Sequence, residues 1–194
     1  MRTVSGLYDN YDDAQDAVGE LEASGIPSSD ISIVANNSEN WYAQDEPSEA
    51  AEDAGAGAGI GAVVGGAGGL LTGLGVMAIP GVGPVVAAGW LAATAVGAVA
   101  GAAVGGAAGG IIGALTDSGV SEQDANVYAE GVRRGGTLVT ARANDDLAPV
   151  AERILGQSTA VDVASRRRDY EAEGWTAFDP AAPAYTPGEA RRVP

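Results

Sequence analysis

Glycine recurs at every fourth position through two stretches of this 194-residue chain: Gly57, Gly61, Gly65, Gly69 and Gly73, then Gly97, Gly101, Gly105, Gly109 and Gly113. No Asp, Glu, Lys or Arg interrupts the sequence from Ala54 through Thr116. In a helix of 3.6 residues per turn, a spacing of four keeps these positions on one side, drifting by about 40° per step. Each stretch then reads as an apolar helix with a smooth groove where another backbone can approach closely. Pro80, Gly81, Gly83 and Pro84 frame a turn between the two. The expectation is a glycine-zipper helical hairpin over residues 54–116 that packs against other helices through its glycine faces.

As helices, residues 54–79 and 85–115 would measure about 39 and about 46 Å, against about 30 Å for a bilayer's hydrocarbon core. Two crossings would leave the flanking halves of the chain on one side of a membrane. The glycine content argues in the other direction, because each interior glycine costs a helix about 1 kcal/mol relative to alanine. Close packing against another helix recovers that cost. A hairpin in lipid and a hairpin buried inside a homo-oligomer both fit the pattern. Self-association is common to the two, since so large an apolar surface does not stay bare in water.

The residue types that are missing narrow the chemistry. The chain has no cysteine, no histidine and no lysine. That removes thiolate nucleophiles, disulfides and zinc-thiolate sites, the imidazole base of a triad, and the lysine of a P-loop or Schiff base. The reading is of a non-enzymatic protein with no catalytic residues, no cofactor and no metal. A net charge of −16 argues against nucleic acid as a partner, which requires a basic face. The N-terminus shows no basic segment followed by an apolar run, so no signal peptide is expected. The location is then the cytoplasmic membrane, with the folded domain facing the cytoplasm, or the cytoplasm as a large assembly.

The flanks carry the folding pattern. Thr3 to Tyr8 reads as a strand, and Asp9 or Asn10 caps a helix to about Ser24 with Asp12 and Asp13 in its first turn. Ala14, Ala17, Val18 and Leu21 fall at i, i+3, i+4 and i+7, one helical face. Asp30 to Ala35 is a second strand. Residues 37–53 form an acidic linker containing Trp41 and Tyr42, which either cover the sheet or make an interfacial belt. Beyond the insertion, a helix from Ser121 to Arg134, a strand from Thr137 to Ala143, a helix from Asp145 to Leu155 and a strand from Ala160 to Ala164 follow. The fold class is α/β (α+β). It is a ferredoxin-like sandwich, βαβ over residues 1–36 and αβαβ over residues 117–165, interrupted by the hairpin. Residues 166–194 form an extended tail rich in Arg, Pro and aromatics.

Other motif matches fail on context. Gly57-Ala-Gly59-Ile-Gly61-Ala62 fits a dinucleotide fingerprint but follows an acidic linker where a strand is required. Asp12-Asp13 and Asp145-Asp146 sit at helix starts, where the macrodipole favours them. The Arg166-Arg167-Arg168 run reads as a solvated strand end, or as a surface for anionic headgroups.

The two flanks resemble the bacterial general-stress protein family with a YflT-like (heat-induced stress protein) domain. The residues that carry the likeness are Thr3-Val-Ser-Gly-Leu-Tyr8, Leu21-Glu-Ala-Ser-Gly-Ile26 and Asp30-Ile-Ser-Ile-Val34. In the second half they are Gly119 to Ala125, the block Tyr128-Ala-Glu-Gly-Val-Arg-Arg-Gly-Gly-Thr-Leu-Val139, and Ala160-Val-Asp-Val163. Gly174-Trp-Thr-Ala-Phe-Asp-Pro180 is similar to a tail that follows such domains. The resemblance implies a stress-response role and supplies no catalytic residues. The functional expectation is a stress-associated protein that self-assembles through the glycine zipper at or in the cytoplasmic membrane. The alternatives are a soluble scaffold or shell with its hairpins buried in the oligomer and, more weakly, a small-ligand regulatory module.

Overall fold

The computed structural model describes residues 1–42, 74–79, 81–94, 110–157 and 159–185. Its centre is a five-stranded antiparallel sheet built from β1 (Arg2–Tyr8), β2 (Ile31–Asn36), β3 (Gly75–Ile79), β4 (Gly83–Gly89) and β5 (Thr137–Ala143), in the order β1-β5-β2-β4-β3. Helix α1 (Tyr11–Ala23) starts as the sequence dictates, with Asn10 Oδ1 accepting the Asp13 N–H at 2.9 Å. It buries Ala14, Ala17, Val18 and Leu21, the face expected from their spacing.

Successive strand residues point to opposite faces, and here both faces are covered. Tyr8, Ile33, Ala88 and Val139 pack under α1 and α4 (Ala148–Leu155), joining Leu21, Ile26, Ile154 and Leu155 in one core cluster. Their neighbours Leu7, Val34, Ala87 and Leu138 face the other way, onto a second cluster. That second cluster is roofed by α2 (Ile111–Asp117) and α3 (Glu122–Arg133). The helix expected only to return the chain from the insertion is therefore the cover of a second core, and the domain has three layers where two were expected.

Two expectations are corrected. Residues 75–79 and 85–89, assigned from sequence to the inner ends of two long helices, lie in strands: β3 pairs with β4, and β4 pairs with β2. Among the described residues no helix is long and apolar enough to cross a membrane. The turn survives with a different role. Val82 N–H donates to Ile79 C=O at 3.0 Å, with Gly81 at φ +76° and Gly83 at φ +98°, closing a β-hairpin that belongs to the sheet. The physical reason is side-chain shape. Val85 and Val86 are β-branched and sit between two half-cores, where an apolar strand is favoured over a glycine-poor helix end.

The second correction concerns the end of the domain. The strand expected over 160–164 is reduced to one bridge, Tyr8 to Ala160, reinforced by Val161 N–H donating to Leu7 C=O at 2.8 Å. Asp162 then caps α5 (Val163–Ala172) by accepting the Ser165 N–H at 2.7 Å. The tail expected to be extended from Arg166 thus begins as helix, because Arg, Asp, Glu and Ala at these positions favour one once capped.

Candidate functional site

The block Tyr128 to Gly136 ends α3 and carries the densest polar cluster of the described residues. Glu130 is wholly buried and accepts from Arg134 Nε at 2.7 Å and Arg133 Nη1 at 3.1 Å. Positions i+3 and i+4 on a helix lie beside position i, so one buried carboxylate receives two guanidinium groups from its own helix. Arg134 also reaches Glu173 at 2.5 Å and lies 4.1 Å from the Tyr170 ring centroid. Burial pulls the Arg134 pKa down, but its hydrogen bonds to Glu130 and Glu173 outweigh that and hold it above the ordinary value. The group is a permanent cation.

Two glycines let this helix end close on the sheet. A Cβ at Gly131 would meet Leu7 Cδ2 at 2.5 Å, and one at Gly136 would meet Gly131 O at 2.9 Å and Tyr8 O at 3.0 Å. Beside that contact, Asn36 at the end of β2 donates from Nδ2 to Val132 C=O at 3.0 Å and accepts the Ser38 N–H at 2.8 Å. Trp41 Nε1 donates to Asn36 C=O at 2.8 Å, and the indole meets the Tyr11 ring at a tilt of 47° with centroids 4.7 Å apart. Arg166 of α5 grips both oxygens of Asp9, at 2.8 and 3.0 Å. Burial lowers the Arg166 pKa, while its bonds to Asp9 and Tyr170 raise it further.

These elements enclose an open cleft of about 420 Å³ lined by Asp9, Asn36, Glu39, Trp41, Arg134 and Arg166, among others. Its guanidinium groups already face protein carboxylates, which makes the cluster a clamp joining α3, α5 and the end of β1. No group of His, Cys, Asp and Glu among the described residues could hold a metal ion.

Of the residues singled out from sequence, Gly81, Gly83 and Pro84 lie in the hairpin between β3 and β4, and Gly113 lies in α2, where its carbonyl accepts the Thr116 hydroxyl at 3.0 Å. Gly57, Gly61, Gly65, Gly69, Gly73, Gly97, Gly101, Gly105, Gly109 and Pro80 lie outside the described residues. The arginine run is not a solvated strand end: Arg166 pairs with Asp9, and Arg167 pairs with Asp124 at 2.6 Å. The cluster around Glu130 escaped sequence reasoning, although the Glu130, Arg133 and Arg134 spacing was a readable signal for it.

No curated protein and no solved structure matches the chain. The second-half block Tyr128 to Val139 lies beyond the family match, whereas Thr3 to Tyr8, Leu21 to Ile26 and Asp30 to Val34 lie inside it. Over residues 3–78, a span that takes in β1, α1 and β2, the chain matches the model of the heat induced stress protein YflT domain.

Proposed function

We propose that this is a stress-associated protein that assembles with copies of itself through its two glycine ladders, with the α+β domain as the platform that presents them. The observation that carries the reading is where the ladders attach. Gly75 pairs with Ala87, so Leu74 comes opposite Ala88 at the end of the β3–β4 hairpin away from the turn, two residues before Trp90. Tyr42 Oη donates to Leu74 C=O at 3.4 Å, which brings together the two residues that flank the segment 43–73. Leu91, Ala92, Ile111 and Leu115, which flank the segment 95–109, share one core cluster. The segments that carry most of the ladder glycines, uncharged from Ala54 onwards, are thus both joined to the β3–β4 hairpin of a sheet whose two faces already have helical covers.

The domain reads as ferredoxin-like once Ala160 is counted as a vestigial edge strand beside β1, with the β3–β4 hairpin as an added pair. Lipid contact is the second reading, favoured by the absence of charge from Ala54 through Thr116. Two helical crossings need about 40 apolar residues, more than either excursion holds. Contact at the bilayer surface is therefore the form this reading takes. Sedimentation velocity without detergent, with and without liposomes, tests the proposal. Concentration-dependent large species in the lipid-free sample are expected. A monomer at every concentration without lipid, bound only when vesicles are added, would overturn it in favour of the second reading.

A further inference from the structure

The tail that follows α5 is held as a bound peptide is held. Trp175 meets the Tyr170 ring edge-on with centroids 5.7 Å apart. Phe178 packs on the second core cluster, and its N–H donates to Asn126 Oδ1 at 3.0 Å. Asp179 and Pro180 lie across Gly81, where a Cβ would meet Pro180 Cα at 2.6 Å and Asp179 O at 2.9 Å. Ala184 lies across Gly83 at 2.8 Å from such an atom. Pro183 C=O accepts from Arg133 Nη2 at 3.0 Å, and the same guanidinium sits 4.5 Å from the Tyr185 ring centroid. The groove is therefore the β3–β4 turn, kept bare by two glycines, together with Asn126 and Arg133 of α3. What it recognises is an extended segment with aromatic anchors at Phe178 and Tyr185 and prolines at 180 and 183.

We propose that this groove also accepts the tail of a second copy, so that copies are joined by exchanged tails. The inference rests on the self-assembly reading for the proximity it supplies. The cis tail turns at Gly174, which has φ +91°, and most residues from 175 to 185 stay partly or fully exposed. A segment with so few buried contacts opens locally at low cost. A neighbour's tail restores every contact that opening breaks, so exchange needs no new surface. Local concentration inside an assembly then offsets the entropy of association.

The absence of native cysteine makes the test direct. A chain carrying both Asn126→Cys and Ala177→Cys should close a disulfide internally when dilute, which verifies the groove. The two single variants, mixed and oxidised at high concentration, should form a covalent heterodimer, and Gly81→Val on the Asn126→Cys copy should abolish it by filling the tail's path. Failure of the double variant to close would overturn the groove itself. Closure without any heterodimer, in samples that sediment as assemblies, would overturn tail exchange and leave the ladder reading standing. If the protein sediments as a monomer, the ladder reading fails, and the heterodimer at high concentration alone decides exchange.

Discussion

Glu130 is the residue on which the polar cluster depends. Removing it by Glu130→Ala leaves Arg133 and Arg134 partly buried without their shared carboxylate, a change expected to cost about 3–5 kcal/mol. Glu173, half exposed, is the control: Glu173→Ala should cost no more than about 1 kcal/mol. Urea unfolding of the two variants checks the contrast, and equal losses would mean that burial of Glu130 is not what matters. Two tyrosines set an alkaline limit. Burial pushes the Tyr8 and Tyr128 hydroxyls up to about 12 from an ordinary 10.0. Both are protonated in the folded and unfolded chain below pH 10, so the pKa shift leaves stability unchanged there. Between pH 10 and 12 the unfolded chain releases these protons and the folded one does not, and stability falls by about 1.4 kcal/mol per unit for each group. Urea midpoints measured at pH 9, 10.5 and 12 should fall in that order. At this scale the sequence was half legible. The spacing of Glu130 from Arg133 and Arg134 on one helix is visible in it, whereas the grip of Arg166 on Asp9 joins residues 157 positions apart and only the fold reveals it.

Among the elements, α1 was readable to its cap because charged and apolar residues alternate with helical period, and each signal points the same way. The stretch 75–89 was not. It is apolar throughout, so although Val76 and Ala78 are exposed on the edge strand, no polar residue alternates with apolar ones to distinguish strand from buried helix. Its Pro-Gly-Val-Gly-Pro turn serves either hairpin equally well. At 160–164, apolar residues suggested a strand, and Asp162 decided for a helix by capping it. Asp162→Ala should therefore cost about 1 kcal/mol and reduce helical circular dichroism. No change in either would mean that the cap does not hold α5 in place. Because α5 supplies Arg166 and Tyr170, the same variant should also loosen the tail, read as faster chymotryptic cleavage at Trp175 and Phe178.

For the whole molecule, a net charge of −16 opposes the approach of a second copy while the uncharged ladders favour it. At about 0.1 M salt, screening sets in beyond about 10 Å, so association should strengthen as salt rises from 0.01 to about 0.5 M. Assembly governed by ion pairs would weaken instead, which light scattering across the salt series would reveal. The ladders remain the feature with the widest consequences, and the fold changes what lies between them: the turn expected to tip a single long helical hairpin closes a β-hairpin of the sheet. The most direct measurement is sedimentation velocity of the wild type beside Gly65→Leu/Gly105→Leu, where the added side chains block backbone approach. Large species in the wild type and a monomer with unchanged circular dichroism in the variant are expected. Assemblies of equal size in both samples would contradict association through the glycine ladders.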